Sequence, residues 1–294
     1  MGEYSSHVVG YSYSPEHPKS AVMYGQHNQG TLKLPFSYIL IRGKDTVALV
    51  DVGHNNAEHG AVLTRDYNIQ NWHGPDEVLA PFGLTPADVQ HVFITHAHFD
   101  HMGGIALFPN ATFYLQEKEL SNWVWTMSLD RRFRWLLGAM DPSDILRAVD
   151  LARMGRLVCA RGAMENVLPG IDLIPAYGTH TAGSQYVVVR NDAKSPSSDA
   201  WVLAGDLIYQ FDNLDGGTPD DPYYHPVGLA NGSQEKMVFA IHDMINAAGG
   251  DTARVIPGHE QRLIQRFPWR PGVAGLQIVE LSVGRDHQSI VSGA

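Results

Sequence analysis

The sequence has a single cysteine and no excess of positive charge. Cys159 alone cannot form an intrachain disulfide or a cysteine-rich zinc finger, and we expect it to be a small buried side chain. Lysine and arginine number 21 against 31 acidic residues, which gives a formal net charge of −10. A protein that binds nucleic acid needs a basic surface, so this balance argues against a nucleic-acid partner.

Long apolar runs are also missing from the sequence. No stretch approaches the roughly 18 apolar residues that span a bilayer, and residues 1–20 lack the apolar segment of a secretory signal. We therefore expect no membrane segment and a cytoplasmic location. No low-complexity tract, short repeat or linker divides the chain, and this predicts a single domain over residues 1–294.

The spacing of apolar residues alternates between strand and helix periods, which predicts a mixed α/β protein. Apolar residues at helical spacing dominate residues 117–161 and again residues 237–248. Strand-like runs precede, separate and follow these segments, at residues 36–41, 46–50, 92–95, 112–115, 171–174, 186–189, 201–204 and 254–256.

Histidine is abundant, with 15 residues among 294, and a dense group follows the predicted strand at 92–95. His96, His98, Asp100 and His101 lie within six residues. Imidazole and carboxylate groups are ligands that suit zinc, manganese or iron. A loop leaving a strand can direct alternate side chains to two points, so that His96 and His98 face one ion while Asp100 and His101 face another.

Three further candidate ligands each follow an apolar strand and have glycine nearby. These are His180, Asp206 and His259. Taken singly, each is more typical of a turn or cap, but together with the dense motif they supply enough ligands for two sites. His54 is expected either to support a ligand or to lie in a turn, whereas His17 lacks ligand spacing and is expected to be ordinary.

The order of these residues resembles the metallo-β-lactamase superfamily. His96-x-His98-x-Asp100-His101 matches its dense motif, and Asp51 within Leu49-Val50-Asp51-Val52-Gly53 resembles its first, usually non-ligating motif. The resemblance covers roughly residues 36–260. It implies an α/β protein with an αββα sandwich and a dinuclear site at one edge of the sheets, to which the spacing above adds a helical insertion around residues 117–161.

The resemblance also implies a role for each candidate ligand. Its first ion is bound by His96, His98 and His180, its second by Asp100, His101 and His259, and Asp206 bridges the two. Two divalent ions bring four positive charges and the two aspartates return two negative ones, which favours a bound hydroxide. Zinc is the expected metal, and iron, manganese and cobalt remain alternatives.

One branch of the superfamily fits the sequence best. Tyr209 follows Asp206 by three residues, as in the N-acyl homoserine lactone lactonases, and residues 167–171 and 178–185 resemble the same group. The resemblance implies a metal-dependent hydrolase that opens a lactone through a metal-bridging hydroxide. Tyr209 would stabilise the oxyanion and Asp100 would assist proton transfer. The alternative for Tyr209 is that it simply packs.

Other functions and partners remain open at this point. A hydrolase of another amide, thioester or ester fits the same ligands, and a non-catalytic metal-binding protein fits them less well. The expected partner is a small lactone, either a flexible acyl-homoserine lactone or a flat aromatic one. The aromatic side chains Trp123, Trp125, Phe133 and Trp135 indicate a buried core, a lid or a homodimer surface, and Arg134 either anchors a substrate carboxylate or is solvated.

Overall fold

The computed structural model describes residues 2–218 and 220–291. Its strands are β1 (Ser5–Pro18), β2 (Thr31–Arg42), β3 (Val47–Val50), β4 (His91–Phe93), β5 (Thr112–Gln116), β6 (Leu157–Ala160), β7 (Met164–Leu168), β8 (Ile171–Pro175), β9 (Gln185–Arg190), β10 (Ala200–Leu203), β11 (Gly216–Thr218), β12 (Asp221–Tyr223), β13 (Val255–Ile256), β14 (Trp269–Pro271) and β15 (Gln277–Ser282).

The α-helices alternate with these strands. They are α1 (Lys19–Val22), α2 (Glu58–Asp66), α3 (Pro75–Leu79), α4 (Phe99–Met102), α5 (Glu117–Met127), α6 (Pro142–Arg153), α7 (Phe211–Leu214), α8 (Gln234–Ala247) and α9 (Leu263–Arg266). Short 3-10 turns include Pro86–Asp88, Arg131–Leu137 and Gly205–Leu207. Among the described residues, no helix combines the length and the apolar character that crossing a membrane requires.

Two sheets carry most of these strands. In the described part of the chain, one sheet has the order β14-β15-β1-β2-β3-β4-β5-β6 and the other the order β13-β10-β9-β8-β7. The first sheet is antiparallel up to β3 and parallel from β3 to β6, and β10 is parallel to β13 in the second. Parallel neighbours end at the same edge of a sheet, which is where loops that follow them can meet.

Alternate side chains of the larger sheet enter two different cores. Leu40 of β2 belongs to a core that it shares with Trp123 of α5. Its neighbour Ile41 belongs to a second core, together with Val202 of β10 and Ile241 of α8. The layers therefore run helices, sheet, sheet, helix, which confirms the predicted αββα sandwich. The single domain over residues 1–294 stays a prediction.

The predicted helical insertion is correct over α5, the turn at Arg131–Leu137 and α6, but wrong at its end. Residues Leu157–Ala160 form β6, which extends the sheet by pairing in parallel with β5. The run is short and lies at the sheet edge, so its apolar residues carry no clear period. Cys159 lies on this edge strand and is exposed, contrary to the expectation that it is buried.

The aromatic side chains of the segment divide between the core and the surface. Trp123 is buried, whereas Trp125, Phe133 and Trp135 are 57%, 50% and 73% exposed. Helical spacing alone does not tell buried aromatic side chains from exposed ones. Residues Arg131–Leu137 have apolar side chains at that spacing, yet none of these residues is buried. The homodimer through this segment stays a prediction.

Candidate metal centre

Loops from both sheets bring the seven candidate ligands to one edge of the sandwich. The loop and short helix after β4 carry the dense motif, and the turns after β8, β10 and β13 carry one residue each. All seven side chains are buried and form two groups whose ligand atoms lie within 4.8 Å of one another. The first group is His96, His98, His180 and Asp206, and the second is Asp100, His101 and His259.

Asp206 belongs to the first group but contacts histidines of both groups. One carboxylate oxygen faces the first group and the other faces the second. Its Oδ2 lies 3.3 Å from Nε2 of His180 and 3.7 Å from Nε2 of His96. Its Oδ1 lies 2.9 Å from Nε2 of both His101 and His259. This is the position that the resemblance implies for a bridging carboxylate.

A glycine allows the Asp206 turn to approach the dense motif this closely. Gly205 has a φ of 53°, a left-handed conformation that a side chain disfavours. A Cβ at this position would lie 2.8 Å from the side chain of Thr95. Glycine beside this candidate ligand thus allows a close approach of the two backbones.

Hydrogen bonds on one ring nitrogen orient two of the histidines. Nδ1 of His101 lies 2.7 Å from Oδ2 of Asp51, and Nδ1 of His259 lies 2.8 Å from the carbonyl oxygen of Pro35. Both partners are acceptors, so each Nδ1 carries the proton and donates it. Nε2 of each ring is then directed toward Asp206, which is the arrangement that partners behind metal-binding histidines commonly impose.

Other ring nitrogens of the candidate ligands lack a suitable hydrogen-bond partner in the protein. Among the described residues, the buried Nε2 atoms of His96 and His98 have no hydrogen-bond partner. Nδ1 of His98 and Nε2 of His180 face each other at 3.0 Å. Leaving polar atoms unpaired in the interior is costly, and a divalent ion would satisfy several of them at once. The donor set of imidazoles and carboxylates therefore fits divalent metal ions.

The charges of the two groups differ. Burial lowers the pKa of His98 to about 3 and that of His96 well below its ordinary value, so both are neutral and present lone pairs. Burial also acts on His101, but Asp206 and Asp100 outweigh it and raise its pKa well above the ordinary value. Asp206 remains ionised despite burial, because His101 lies beside it. The carboxylates of Asp206 and Asp100 thus supply negative charge that bound cations would neutralise.

Two carboxylates hold the loops of the centre. Asp51, which the resemblance predicted, accepts hydrogen bonds from the backbone and hydroxyl of Thr95 as well as from His101. Glu119 on α5 was not predicted. It is fully buried and accepts hydrogen bonds from Ala97 and Thr181, which belong to the loops of the dense motif and of His180.

The position of Glu119 in the helix is the sequence signal from which its buried role could have been predicted. It precedes the buried Trp123 by four residues, and its Oε1 accepts a hydrogen bond from the indole of that tryptophan at 2.8 Å. A glutamate on the buried face of an amphipathic helix requires internal partners.

Tyr209 lies beside the ligands. It is buried, and its ring packs edge-on against His259 with centroids 4.8 Å apart. Burial, and after it the charges of Asp206 and Asp100, raise the pKa of the phenol well above its ordinary value. The hydroxyl is therefore protonated near neutral pH and can donate a hydrogen bond.

A narrow inner chamber leads to a wider cleft. The chamber has room for about one water-sized species, about 20 Å³, and is lined by ligands together with Tyr209 and by His17, which sequence reasoning had set aside. The outer cleft has about 570 Å³ and is lined mainly by apolar side chains, with Arg134 and Trp135 at one wall. His98, Tyr67 and Leu229 line both, so the two spaces adjoin.

Curated relatives share part of this chain. A probable metallo-hydrolase of Mycobacterium tuberculosis is 32% identical over 137 residues, which are 46% of this chain and 42% of the relative. The N-acyl homoserine lactonase AttM of Azorhizobium caulinodans is 32% identical over 108 residues, which are 32% of this chain and 39% of the relative. The chain thus matches less than half the length of these relatives.

Solved structures share the fold over most of the chain. An N-acyl homoserine lactone hydrolase with bound N-hexanoyl-L-homoserine has a TM-score of 0.65 at 18% identity, covering 90% of this chain and 96% of its own. The dizinc quorum-quenching lactonase AidC has a TM-score of 0.63 at 16% identity and covers 96% of both. A family model described as the metallo-beta-lactamase superfamily matches residues 34–259. The chain therefore belongs to the metallo-beta-lactamase superfamily.

Proposed function

We propose that this protein is a metal-dependent hydrolase that opens a lactone ring at a dinuclear centre. The observation that carries the proposal is Asp206, whose two oxygens contact two separate buried groups of ligands. We assign one ion to His96, His98 and His180, the other to Asp100, His101 and His259, and the bridge to Asp206. Zinc is the metal we propose, with iron, manganese or cobalt as alternatives.

The chemistry divides between the ions and the side chains around them. Two bound divalent ions supply an acidified water and polarise an ester carbonyl. Asp100 is ionised, because His101 outweighs burial and lowers its pKa to about 2. We assign Asp100, which lines the inner chamber, to accept the proton of the attacking water and to return it to the ring oxygen when the acyl–oxygen bond breaks. The product is a hydroxy acid, so that the atoms of lactone and water balance.

Tyr209 is the residue we assign to the oxyanion. Its phenol is protonated and lines the inner chamber with Asp100 and Asp206. A hydrogen-bond donor fixed in a buried site stabilises the negative charge that develops on the carbonyl oxygen. The packing of Tyr209 against His259 holds the ring in place and is compatible with this role.

The shapes of the two spaces support a lactone with an apolar substituent. The inner chamber admits only a small reacting group beside the ions, whereas the outer cleft has the volume of a ligand pocket. Trp135, Leu137 and Met140 offer it apolar surface. Three of the comparison proteins are lactone hydrolases by name, which supports the same substrate class for this chain.

The test is metal quantification followed by a substrate panel. We expect about two equivalents of divalent metal. We also expect ring opening of acyl-homoserine or aromatic lactones, measured by the acid that the reaction releases. Cleavage of a thioester or amide without lactone opening would assign another hydrolase, and protein that binds no metal would contradict the proposal. His98→Ala should lose metal and activity, while His242→Ala, at an exposed position on α8, should keep both.

A further inference from the structure

His17 is a buried histidine in the inner chamber that is not among the seven candidate ligands. It lies near the end of β1, where the pairing with β2 shifts register between Ser14 and His17. A bulge redirects the side chain that follows it. Here His17 lines the chamber together with Asp100, Asp206 and His259, far in sequence from all of them.

The ring of His17 has an unused hydrogen-bonding atom. The side chain is 8% exposed, and its buried Nε2 has no partner within residues 2–218 and 220–291. An unpaired polar atom inside a protein costs free energy, which is tolerated where the atom has a ligand to bind. Its surroundings in the chamber are the groups that would surround a reacting ester, among them the phenol of Tyr209.

His17 does not belong to either group of metal ligands. The groups contain every described residue whose ligand atoms cluster within 4.8 Å, and His17 is outside both. His17 therefore lines the chamber, with an unpaired Nε2, without being one of the clustered candidate ligands. A neutral imidazole nitrogen donates or accepts one hydrogen bond, so its partner is an oxygen or a hydroxyl group.

We propose that His17 is a substrate-binding residue, whose Nε2 forms a hydrogen bond with an oxygen of the lactone or of its ring-opened product. The proposal rests on the proposed function, because it takes the reacting ester group of a lactone as what enters the chamber. Together with Tyr209, His17 would fix the orientation of the reacting ester between the two groups of ligands. It would also make the chamber selective for substrates with an oxygen at that position.

The experiment compares His17→Leu and His17→Gln with the wild type. Leucine fills similar space without a polar atom, while glutamine keeps a polar group that can form a hydrogen bond. We expect His17→Leu to lower kcat/KM for the best lactone about 10-fold to 100-fold and to weaken binding of N-hexanoyl-L-homoserine by a similar factor. Glutamine should restore part of both. Product binding is measured by calorimetry, independently of turnover.

Metal content and stability separate binding from a structural role. We expect His17→Leu to keep its metal and to unfold at the same urea concentration as the wild type or a higher one, because no internal hydrogen bond is lost. His7→Gln is the matched control, since His7 is also a buried histidine on β1 but lies outside the chamber. It should leave kcat/KM and product binding unchanged.

Three results would overturn the proposal. Wild-type kcat/KM and product binding in His17→Leu would show that Nε2 does not contact the substrate. Loss of metal in His17→Leu would show that His17 supports the ions instead. If the wild type opens no lactone at all, the proposed function fails and this inference fails with it, a result that the variants are not needed to recognise.

Discussion

Asp51 shows how much of the centre depends on a residue that is outside both groups of ligands. Its carboxylate accepts a hydrogen bond from Nδ1–H of His101 at 2.7 Å and two hydrogen bonds from Thr95. One side chain thus fixes both the tautomer of the candidate ligand His101 and the first residue of the loop that carries it. Asp51 also has a φ of 60°, a conformation that asparagine tolerates well.

We predict that Asp51→Asn weakens metal binding about 10-fold to 100-fold without unfolding the protein. Asparagine fits the backbone and keeps one acceptor oxygen for Thr95, but it lacks the negative charge that orients His101. Competition with a chelating dye measures the affinity. Asp88→Asn is a control on an exposed carboxylate that caps a turn and belongs to neither group of candidate ligands. Equal metal affinity in Asp51→Asn and the wild type would contradict this role.

Tyr209 gives the second prediction at the residue scale. Tyr209→Phe should lower kcat about 100-fold to 1,000-fold, because a donor to the oxyanion is lost while the ring packing stays. Metal content and the melting temperature should not change. Tyr186→Phe, which removes a hydroxyl from a buried tyrosine on β9, is the matched control. Unchanged kinetics in Tyr209→Phe would leave Tyr209 as a packing residue only.

At the scale of elements, the sequence predicted strands and helices better than it predicted which of their faces are buried. Strand runs before Asp51, His96 and Asp206 all correspond to observed strands, because apolar β-rich runs bounded by turns are a strong local signal. The helical spacing of Phe133 and Val149 did not imply burial, since both are exposed. Tertiary contacts decide exposure, and these are invisible to a pattern along the chain.

Helix α5 shows an element that serves the site without contributing a ligand. Glu119 has hydrogen bonds to two loops, because Oε1 accepts from Ala97 at 2.9 Å and Oε2 from Thr181 and Gly183 at 2.7 Å each. The helix therefore keeps the His98 loop and the His180 loop at a fixed separation. Its tryptophan, Trp123, also contacts His98, with ring centroids 5.9 Å apart.

We predict that Glu119→Gln lowers the free energy of unfolding by about 2 kcal/mol, since an amide group replaces an oxygen that accepts two buried hydrogen bonds. Urea denaturation of the metal-loaded protein measures the loss. Glu117→Gln is the control, because Glu117 begins the same helix but is half-exposed and forms an ion pair with Arg161 at 3.4 Å. That variant should change stability by less than about 1 kcal/mol. Equal effects of the two substitutions would argue against Glu119 as the link between the loops.

At the scale of the whole molecule, the order of motifs was enough to predict the sandwich and the approach of its loops. The resemblance placed Asp100 and His259 at one centre although most of the chain lies between them. It could not place His17, because a bulge between two strands has no signature in residue spacing. Nor could it predict the outer cleft, which depends on how Tyr67 and Leu229 from distant segments pack beside His98.

The whole molecule should depend on its metal for stability. Both groups of ligands are buried and join loops from the two sheets, so ions that bind only the folded state stabilise it by mass action. At free metal about 1,000-fold above Kd, the gain is about 4 kcal/mol, or on the order of 10 °C in Tm. Chelation should remove this gain and added zinc should restore it, as calorimetry would show. Asp206→Asn, which lacks the shared carboxylate, should respond weakly to either treatment. If chelation removes the metal but leaves the wild-type Tm unchanged, the prediction is contradicted. The loops would then keep their positions without bound ions.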